Sequence, residues 1–278
     1  MNFYICTNVK NIQGNYNTKI GTIMILKFKH FVIFITILLF ISCKQERLRL
    51  SEIIGKQITI EDSIAEDLKI KEFVEPYRKH IDAVLDSTLA YAANNISKTD
   101  NPYNTTAGNL MADAVLQLVN PVFKSRTQNN IDFVLLNHGG IRSSISKGNV
   151  SARTAYEIMP FENSVVVVNL SGKAVREMIA YLIKNKIQHP ISGIQIILNK
   201  DDSLKAVNIQ GKPFDEEKTY FVATSNYLLT GGDNMNFFLD NIAAIDTDYL
   251  IRNIMIDYFT KMDTIKPKID DRFIKLDN

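Results

Sequence analysis

The stretch Asn137-His138-Gly139-Gly140-Ile141-Arg142 carries residue types, in an order, that could bind an anion. It follows the apolar run 131–136, so a strand would deliver it to the edge of a sheet. Two glycines let the backbone approach a ligand with no Cβ in the way, and Arg142 offers a planar fork of donors that matches a phosphate. Two further segments show the same order of apolar run, break and ligand group: Pro160-Phe161-Glu162-Asn163 and Thr230-Gly231-Gly232-Asp233. In an open α/β sheet, ligands bind outside the carboxyl ends of strands, which puts Asn137 and Arg142 at the favoured edge.

Each of these residues also has an ordinary structural reading. Asn137 can serve a ligand's base or sugar through its amide, or satisfy a turn. Arg142 in isolation is a surface or ion-paired arginine, and its place after Gly-Gly at a strand end favours the phosphate. Phe161 is either core packing or a stacking platform, since an aromatic face under a nucleobase gains about 1–3 kcal/mol. Tyr227 presents the same choice, because the turn at Gly231 and Gly232 can bring it back to the strand-end edge. Asp233 either caps that turn or takes the two hydroxyls of a ribose. Phosphate, sugar and base together describe a nucleotide.

The elements that must position these groups alternate between helix and strand. Ile64, Leu68, Phe73, Tyr77, Ile81, Val84 and Leu85 recur at helical spacing, with Pro76 marking a start or kink. Residues 108–123 read as a second helix ending near Pro121, and 172–186 as an amphipathic third. Ser151 can cap a short helix through Ile158, and 248–262 reads as another helix. Strands are expected at Ile58-Thr59-Ile60, 131–136, 164–170, 191–198, 206–209, 219–225 and 273–276. Single helices alternating with strands argue for one α/β or α+β domain over 53–278, with helices covering sheets.

Three of these motifs, with Tyr227 included in Asn226-Tyr227-Leu228-Leu229-Thr230-Gly231-Gly232-Asp233, resemble those of the C-terminal domain of 5′-nucleotidases and UDP-sugar hydrolases. Ala107-Gly108-Asn109-Leu110-Met111-Ala112-Asp113-Ala114 is similar to the Gly-Asn-Leu-x-x-Asp-Ala helix start of that family. The resemblance implies a layered α-β-β-α fold. It also implies a substrate-binding set of Asn137, Gly140, Arg142, Phe161, Tyr227, Gly232 and Asp233, in which Arg142 meets phosphate, Asn137 the nucleoside, Phe161 and Tyr227 the base, and Asp233 the ribose. Two departures stand out. The family often has an Arg seven residues and a Glu four residues before the helix-start glycine; here those places hold Asn101 and Asn104, so one cation on the phosphate side is missing. Tyr227 stands where Phe is usual, which keeps the ring and adds a hydroxyl.

Full-length members of that family carry a two-metal phosphatase domain with Asp-x-His, Gly-Asn-His-Asp/Glu and Gly-His-x-His motifs. Beyond residue 43 the histidines are His80, His138 and His189, none with a neighbouring ligand at metal spacing. The expectation is therefore no catalytic residue and no metal in this chain. A separately encoded metallophosphatase would hold divalent metal ions and cut the ester, in a split 5′-nucleotidase acting in nucleotide catabolism. The alternative is a non-catalytic nucleotide- or nucleoside-binding lipoprotein; a fold remnant that binds nothing is a third reading, against which the intact site residues count.

The first part of the chain differs in composition. Residues 1–43 contain no Asp or Glu, and Lys27 and Lys29 precede the apolar run Phe31-Val32-Ile33-Phe34-Ile35-Thr36-Ile37-Leu38-Leu39-Phe40-Ile41. A basic start, an apolar core shorter than the roughly 20 residues of a spanning helix, and the small Ser42 describe a secretory signal. Phe40-Ile41-Ser42-Cys43 resembles a bacterial lipobox with Phe40 in place of an aliphatic residue, which makes Cys43 the lipid-attachment site and implies membrane contact through an anchor in the cell envelope, periplasm or outer membrane. A short membrane anchor or buried helix is the structural alternative. Met24, just ahead of the basic residues, is an alternative start, and residues 44–52 read as a tether. After residue 43, 28 Lys and Arg stand against 30 Asp and Glu, about −2. No basic run with interleaved aromatics follows, so a small ligand rather than nucleic acid is the expected partner.

Overall fold

The computed structural model describes residues 27–36, 52, 54–57, 59, 61 and 64–276. Cys43 and most of the signal and tether lie outside the described residues, as do Ile58 and Ile60 of the first expected strand. Residues 27–36 are helical. Among the described residues no helix is long and apolar enough to cross a membrane.

Residues Glu66–Asn278 form one compact unit. Its centre is a five-stranded mixed sheet in the order β10-β4-β9-β2-β5, built from β2 (Phe133–Leu135), β4 (Ser164–Ser171), β5 (Ile191–Ser192), β9 (Thr219–Ser225) and β10 (Ala243–Leu250). The run Ser-Val-Val-Val-Val-Asn-Leu-Ser of β4 reads as nearly continuous apolar because both faces of this strand are buried. Val165 and Val167 enter one core while Val166, Val168 and Leu170 enter the other, as the two-residue period of a strand requires.

The first core is closed by α2 (Thr106–Thr127), α3 (Ala152–Ile158) and α6 (Ile251–Lys261), with a small sheet β11-β1-β3 formed by β1 (Thr88–Ala92), β3 (Gly148–Ser151) and β11 (Thr264–Ile265). The second is closed by α4 (Gly172–Asn185) and a four-stranded sheet β12-β6-β7-β8, made of β6 (Ile194–Leu198), β7 (Leu204–Ile209), β8 (Lys212–Pro213) and β12 (Phe273–Lys275). The mixed α/β architecture is the one the alternation predicts. Helix α1 (Leu68–Leu85) precedes β1, and none of its residues is buried.

Several boundaries differ from expectation. The helix expected to end near Pro121 runs on to Thr127, because Phe123 beyond the proline is fully buried and packs on Phe221 at 5.2 Å between ring centroids. The expected 191–198 strand divides at Gly193, whose φ of 82° breaks it into β5 and β6 in different sheets. The helix expected from 248 starts at Ile251, because 243–250 is an edge strand paired only with β4.

The helix-start motif has a structural role here. Asp113 accepts two hydrogen bonds from Arg272, at 2.8 and 3.0 Å, and one from Ser192 at 2.6 Å. Burial alone would lower the Arg272 pKa, but its hydrogen bonds to Asp270 and Asp113 hold it above the ordinary value. Asn104 is buried; its Nδ2 donates to the carbonyls of Asp270 and Phe273, and its Oδ1 accepts from Asn109. Asn101 accepts from the backbone N–H groups of Tyr103 and Asn104. Asn104, with Asn109 donating to the Lys268 carbonyl, thus clasps the C-terminal segment to the start of α2, while Asn101 holds the local turn before it.

Candidate functional site

Sheet register brings the three motifs to one edge. β2 and β9 run parallel, with Phe133 opposite Val222, so their carboxyl ends point the same way. The first leads into Asn137 and a tight turn at His138–Gly140, the second into the short helix α5 (Asn226–Leu229), capped by the Ser225 hydroxyl. β4 runs antiparallel to β9 with Val165 opposite Ser225, so Pro160-Phe161-Glu162-Asn163 enters β4 at that same edge. Two strand ends and one strand start thereby converge.

What they enclose is a cavity of about 330 Å³ lined by Asn137, Gly139, Gly140, Arg142, Phe161, Asn163, Tyr227 and Asp233. That volume lies at the small end of the range for small-molecule sites. A larger cleft of about 510 Å³ beside α4 is lined by Ile179, Ala180, Ile183, Leu204 and Phe214 together with Arg176 and Lys184. Phe161 and Tyr227 remain 41% and 42% exposed, so both rings are free to take a flat ligand. The Arg142 guanidinium lies 5.7 Å from the centroid of Phe161, which places cation and ring on adjoining walls.

The backbone at each corner is held by named contacts. Arg142 N–H donates to the carbonyl of Ile158 at 2.9 Å, and Lys98 Nζ donates to that of Ile141 at 2.7 Å. A Cβ on Gly140 would stand 3.1 Å from Asn137 Oδ1, so the glycine gives the amide its place. Tyr227 O–H donates to Asp233 Oδ1 at 2.9 Å and accepts the Asp233 N–H at 3.3 Å. Its hydrogen bond to the carboxylate raises the phenol pKa. Tyr181 O–H donates to the Asp233 carbonyl at 2.8 Å, and burial raises its own pKa.

Gly232 is the one predicted residue that does not line the cavity. A Cβ there would fall 2.6 Å from two carbons of the Tyr227 ring, so its role is to let that ring lie flat on the backbone. Conversely, Asn163 and Gly139 line the wall although only their motifs, not they themselves, were singled out by the sequence. Arg252 is a further supporting residue that escaped notice. It is 6% exposed, donates to the Pro160 carbonyl at 3.2 Å, reaches Glu162 at 3.5 Å, and stacks on Tyr156 at 4.3 Å. A lone arginine on the apolar helix 251–261 was the available signal.

Behind the turn, His189 is 4% exposed, and its Nδ1 accepts the His138 N–H at 3.2 Å. Burial pushes its pKa down to about 4, so the ring is neutral near pH 7, with its proton on Nε2 by the geometry of that hydrogen bond. Among the described residues, no group of three His, Cys, Asp or Glu side chains could hold a metal ion.

This arrangement puts one cation, two rings and one carboxylate around a single cavity at a strand-end edge. Residues 83–240, more than half of the chain, match the family described as 5′-nucleotidase, C-terminal domain, and the protein belongs to that family. It is 32% identical to Protein UshA of Escherichia coli over 136 residues, covering 47% of this chain and 24% of UshA. The fold matches the solved 5′-nucleotidase precursor from Thermus thermophilus with a TM-score of 0.62 at 24% identity, covering 77% of this chain and 44% of that one. It also matches the NAD nucleotidase of Haemophilus influenzae at a TM-score of 0.57 and 19% identity, covering 80% and 43%. The chain spans less than half the length of each of these relatives.

Proposed function

We propose that this protein is the nucleotide-binding specificity domain of a split 5′-nucleotidase, exported and lipid-anchored through Cys43, which presents its ligand to a separately encoded metallophosphatase. The observation that carries this reading is the convergence of Arg142, Phe161, Tyr227 and Asp233 on one cavity. In it the base lies between the rings of Phe161 and Tyr227, each of which has an open face. Asp233, already fixed by Tyr227 and the neighbouring turn, accepts from the ribose hydroxyls through its remaining lone pairs. Arg142 forks the phosphate, and Asn137 hydrogen-bonds the nucleoside.

Divalent ions in the partner would clamp the attacking and leaving oxygens of the ester. The residues of this chain bind and orient.

The test is a calorimetric panel of AMP, UMP and their nucleosides against the full chain, alone and with a separately encoded metallophosphatase added. Arg142→Ala should weaken phosphorylated ligands and leave nucleosides unchanged. The chain alone, given divalent metal, should not hydrolyse the monophosphates, whereas the mixture should. Robust turnover by the isolated chain sinks the division of labour, and absence of binding to every ligand sinks the site. One observation favours the alternative of a non-catalytic nucleoside-binding lipoprotein: Asn101 and Asn104 are committed to backbone contacts away from the cavity. An added phosphatase that leaves the bound nucleotide intact would decide for it.

A further inference from the structure

We infer that a second cavity, which shares Gly139 and Asp233 with the first, is a binding site for a small, flat, neutral amide: a ring that bears a carboxamide or contains a lactam. The inference needs no second polypeptide and stands apart from the split-nucleotidase reading. The cavity measures about 390 Å³, and its lining includes His138, Tyr181, Asn185, Ile187, His189 and Asp233. Small-molecule sites begin at about 300 Å³, so the space suits one ring and its substituent.

His189 carries the inference. Its ring is 4% exposed and forms part of the cavity wall. Nδ1 accepts the His138 N–H at 3.2 Å, whereas Nε2 has no hydrogen-bond partner within the protein. An accepting Nδ1 puts the ring proton on Nε2, so the unpartnered atom is a donor. Buried donors in native proteins are paired, and one held in a cavity wall calls for an acceptor that the chain does not supply. The wall around it is fixed. Tyr181 lies 5.9 Å from the His189 ring and 5.7 Å from Phe237, and its hydroxyl donates to the Asp233 carbonyl at 2.8 Å.

The rest of the lining says what the acceptor belongs to. Asp233 has about four acceptor positions, of which the Tyr227 hydroxyl takes one. Asn185 lies one turn beyond Tyr181 on α4 and donates its Nδ2 to the Tyr181 carbonyl at 3.0 Å, which leaves its Oδ1 for a donor. An anion would satisfy His189 but would face the Asp233 carboxylate. An ammonium would suit Asp233 but brings no lone pair for His189. Burial keeps His189 neutral near pH 7, so no positive charge on that ring favours an anion. A neutral amide meets both demands, because it carries a carbonyl acceptor and an N–H donor on adjacent atoms. The rings of His138, Tyr181 and His189, with the half-exposed Ile187 at the rim, give a flat ligand its apolar contacts.

The experiment titrates benzamide (a carboxamide) and uracil (a lactam) into the full chain by calorimetry at neutral pH, with adenosine saturating. Benzoate and benzylamine, which put an anion and a cation on the ring of benzamide, are titrated beside them. The Nε2–H resonance of His189 is followed by nitrogen NMR. At least one amide should bind saturably with adenosine present and shift that resonance. Its affinity for Asn185→Ala should be about two- to tenfold lower, and the two charged rings should bind the parent about tenfold more weakly than it does. Adenosine affinity should be unchanged in Asn185→Ala, because Asn185 does not line the nucleotide cavity. Binding of benzamide alone assigns the site to carboxamides, and of uracil alone to lactams; each supports it. Failure of both amides to bind, binding that adenosine abolishes, or binding that leaves the His189 resonance unmoved overturns the site. Benzoate or benzylamine binding as tightly as the amides overturns the ligand class. If adenosine itself does not bind, the nucleotide reading fails, and the same titrations without it still decide this one.

Discussion

Tyr227 concentrates the chemistry of the site in one side chain, because its ring forms a wall and its hydroxyl occupies Asp233. The two functions separate by substitution. Tyr227→Ala removes the stacking face and should cost about 1–3 kcal/mol of nucleoside binding, roughly five- to 150-fold in affinity. Tyr227→Phe keeps the face and frees one carboxylate oxygen, so adenosine affinity should stay within about threefold of the parent or rise; calorimetry on both variants separates ring from hydroxyl. Gly232→Ala should behave like a milder Tyr227→Ala, since its methyl would strike the ring from beneath. His189 gives a prediction of a different kind. Its folded pKa of about 4 lies below the ordinary 6.5, so above pH 6.5 the folded and unfolded chains both carry a neutral ring and the full stability is present. As pH falls from 6.5 toward 4, the unfolded chain binds a proton that the folded chain refuses, and stability drops, by about 2 kcal/mol between pH 7 and pH 5. Urea midpoints of the parent and of His189→Gln, which keeps an acceptor for the His138 N–H, should diverge over that window. A parallel pH dependence in both would show that the imidazole is not the titrating group.

At the level of elements, most of what positions the site was legible because it rests on local patterns. The valine run of β4, the Ser151 cap of α3 and the period of α4 each state one structure, and the three motifs announce themselves as strand ends or starts. What escaped notice depends on neighbours distant in sequence. β10 is an edge strand with a register shift between Asp246 and Leu250; Ile245, Thr247 and Tyr249 turn inward and Asp246 and Asp248 outward, an alternation that the polar Asp246-Thr247-Asp248 run masks in the sequence. Pro121 reads as a helix end because a proline costs a helix interior about 3 kcal/mol. Burial of Phe123 and its neighbours Leu118 and Val119, each contributing about 1.5–3 kcal/mol, outweighs that. The period of α1 was visible, but a period says that a face must be covered and not what covers it. Asn101 and Asn104 were legible only as departures; the contacts make Asn101 a local turn former and Asn104 a clasp on the C-terminal segment. Asn104→Ala should leave the buried carbonyls of Asp270 and Phe273 short of donors and destabilise the fold by about 2–4 kcal/mol in urea unfolding. Adenosine affinity at permissive urea should not change, because Asn104 does not line the cavity. A loss of affinity without a loss of stability would put it in the site after all.

For the whole molecule the decisive quantity is charge. The sequence beyond residue 43 carries about −2, so no general positive field draws a phosphate in, and selectivity for it must be local. Arg142 is the one cation among the described residues that line the cavity, and Lys98, outside its lining, spends its ammonium on the Ile141 carbonyl. A single charge-assisted fork at a partly exposed site contributes on the order of 1.5 kcal/mol, which is roughly tenfold in affinity. The preference for AMP over adenosine should therefore be about tenfold at low ionic strength. It should shrink as salt rises, since the Debye length falls from about 30 Å at 0.01 M to about 8 Å at 0.15 M. Titrations of both ligands across that range test it directly. A preference near a thousandfold, or one indifferent to salt, would require a second cation at the phosphate. If the partner chain brings that cation, the preference should rise steeply only in the mixture, and a low phosphate selectivity of the isolated chain is then what a two-polypeptide site produces.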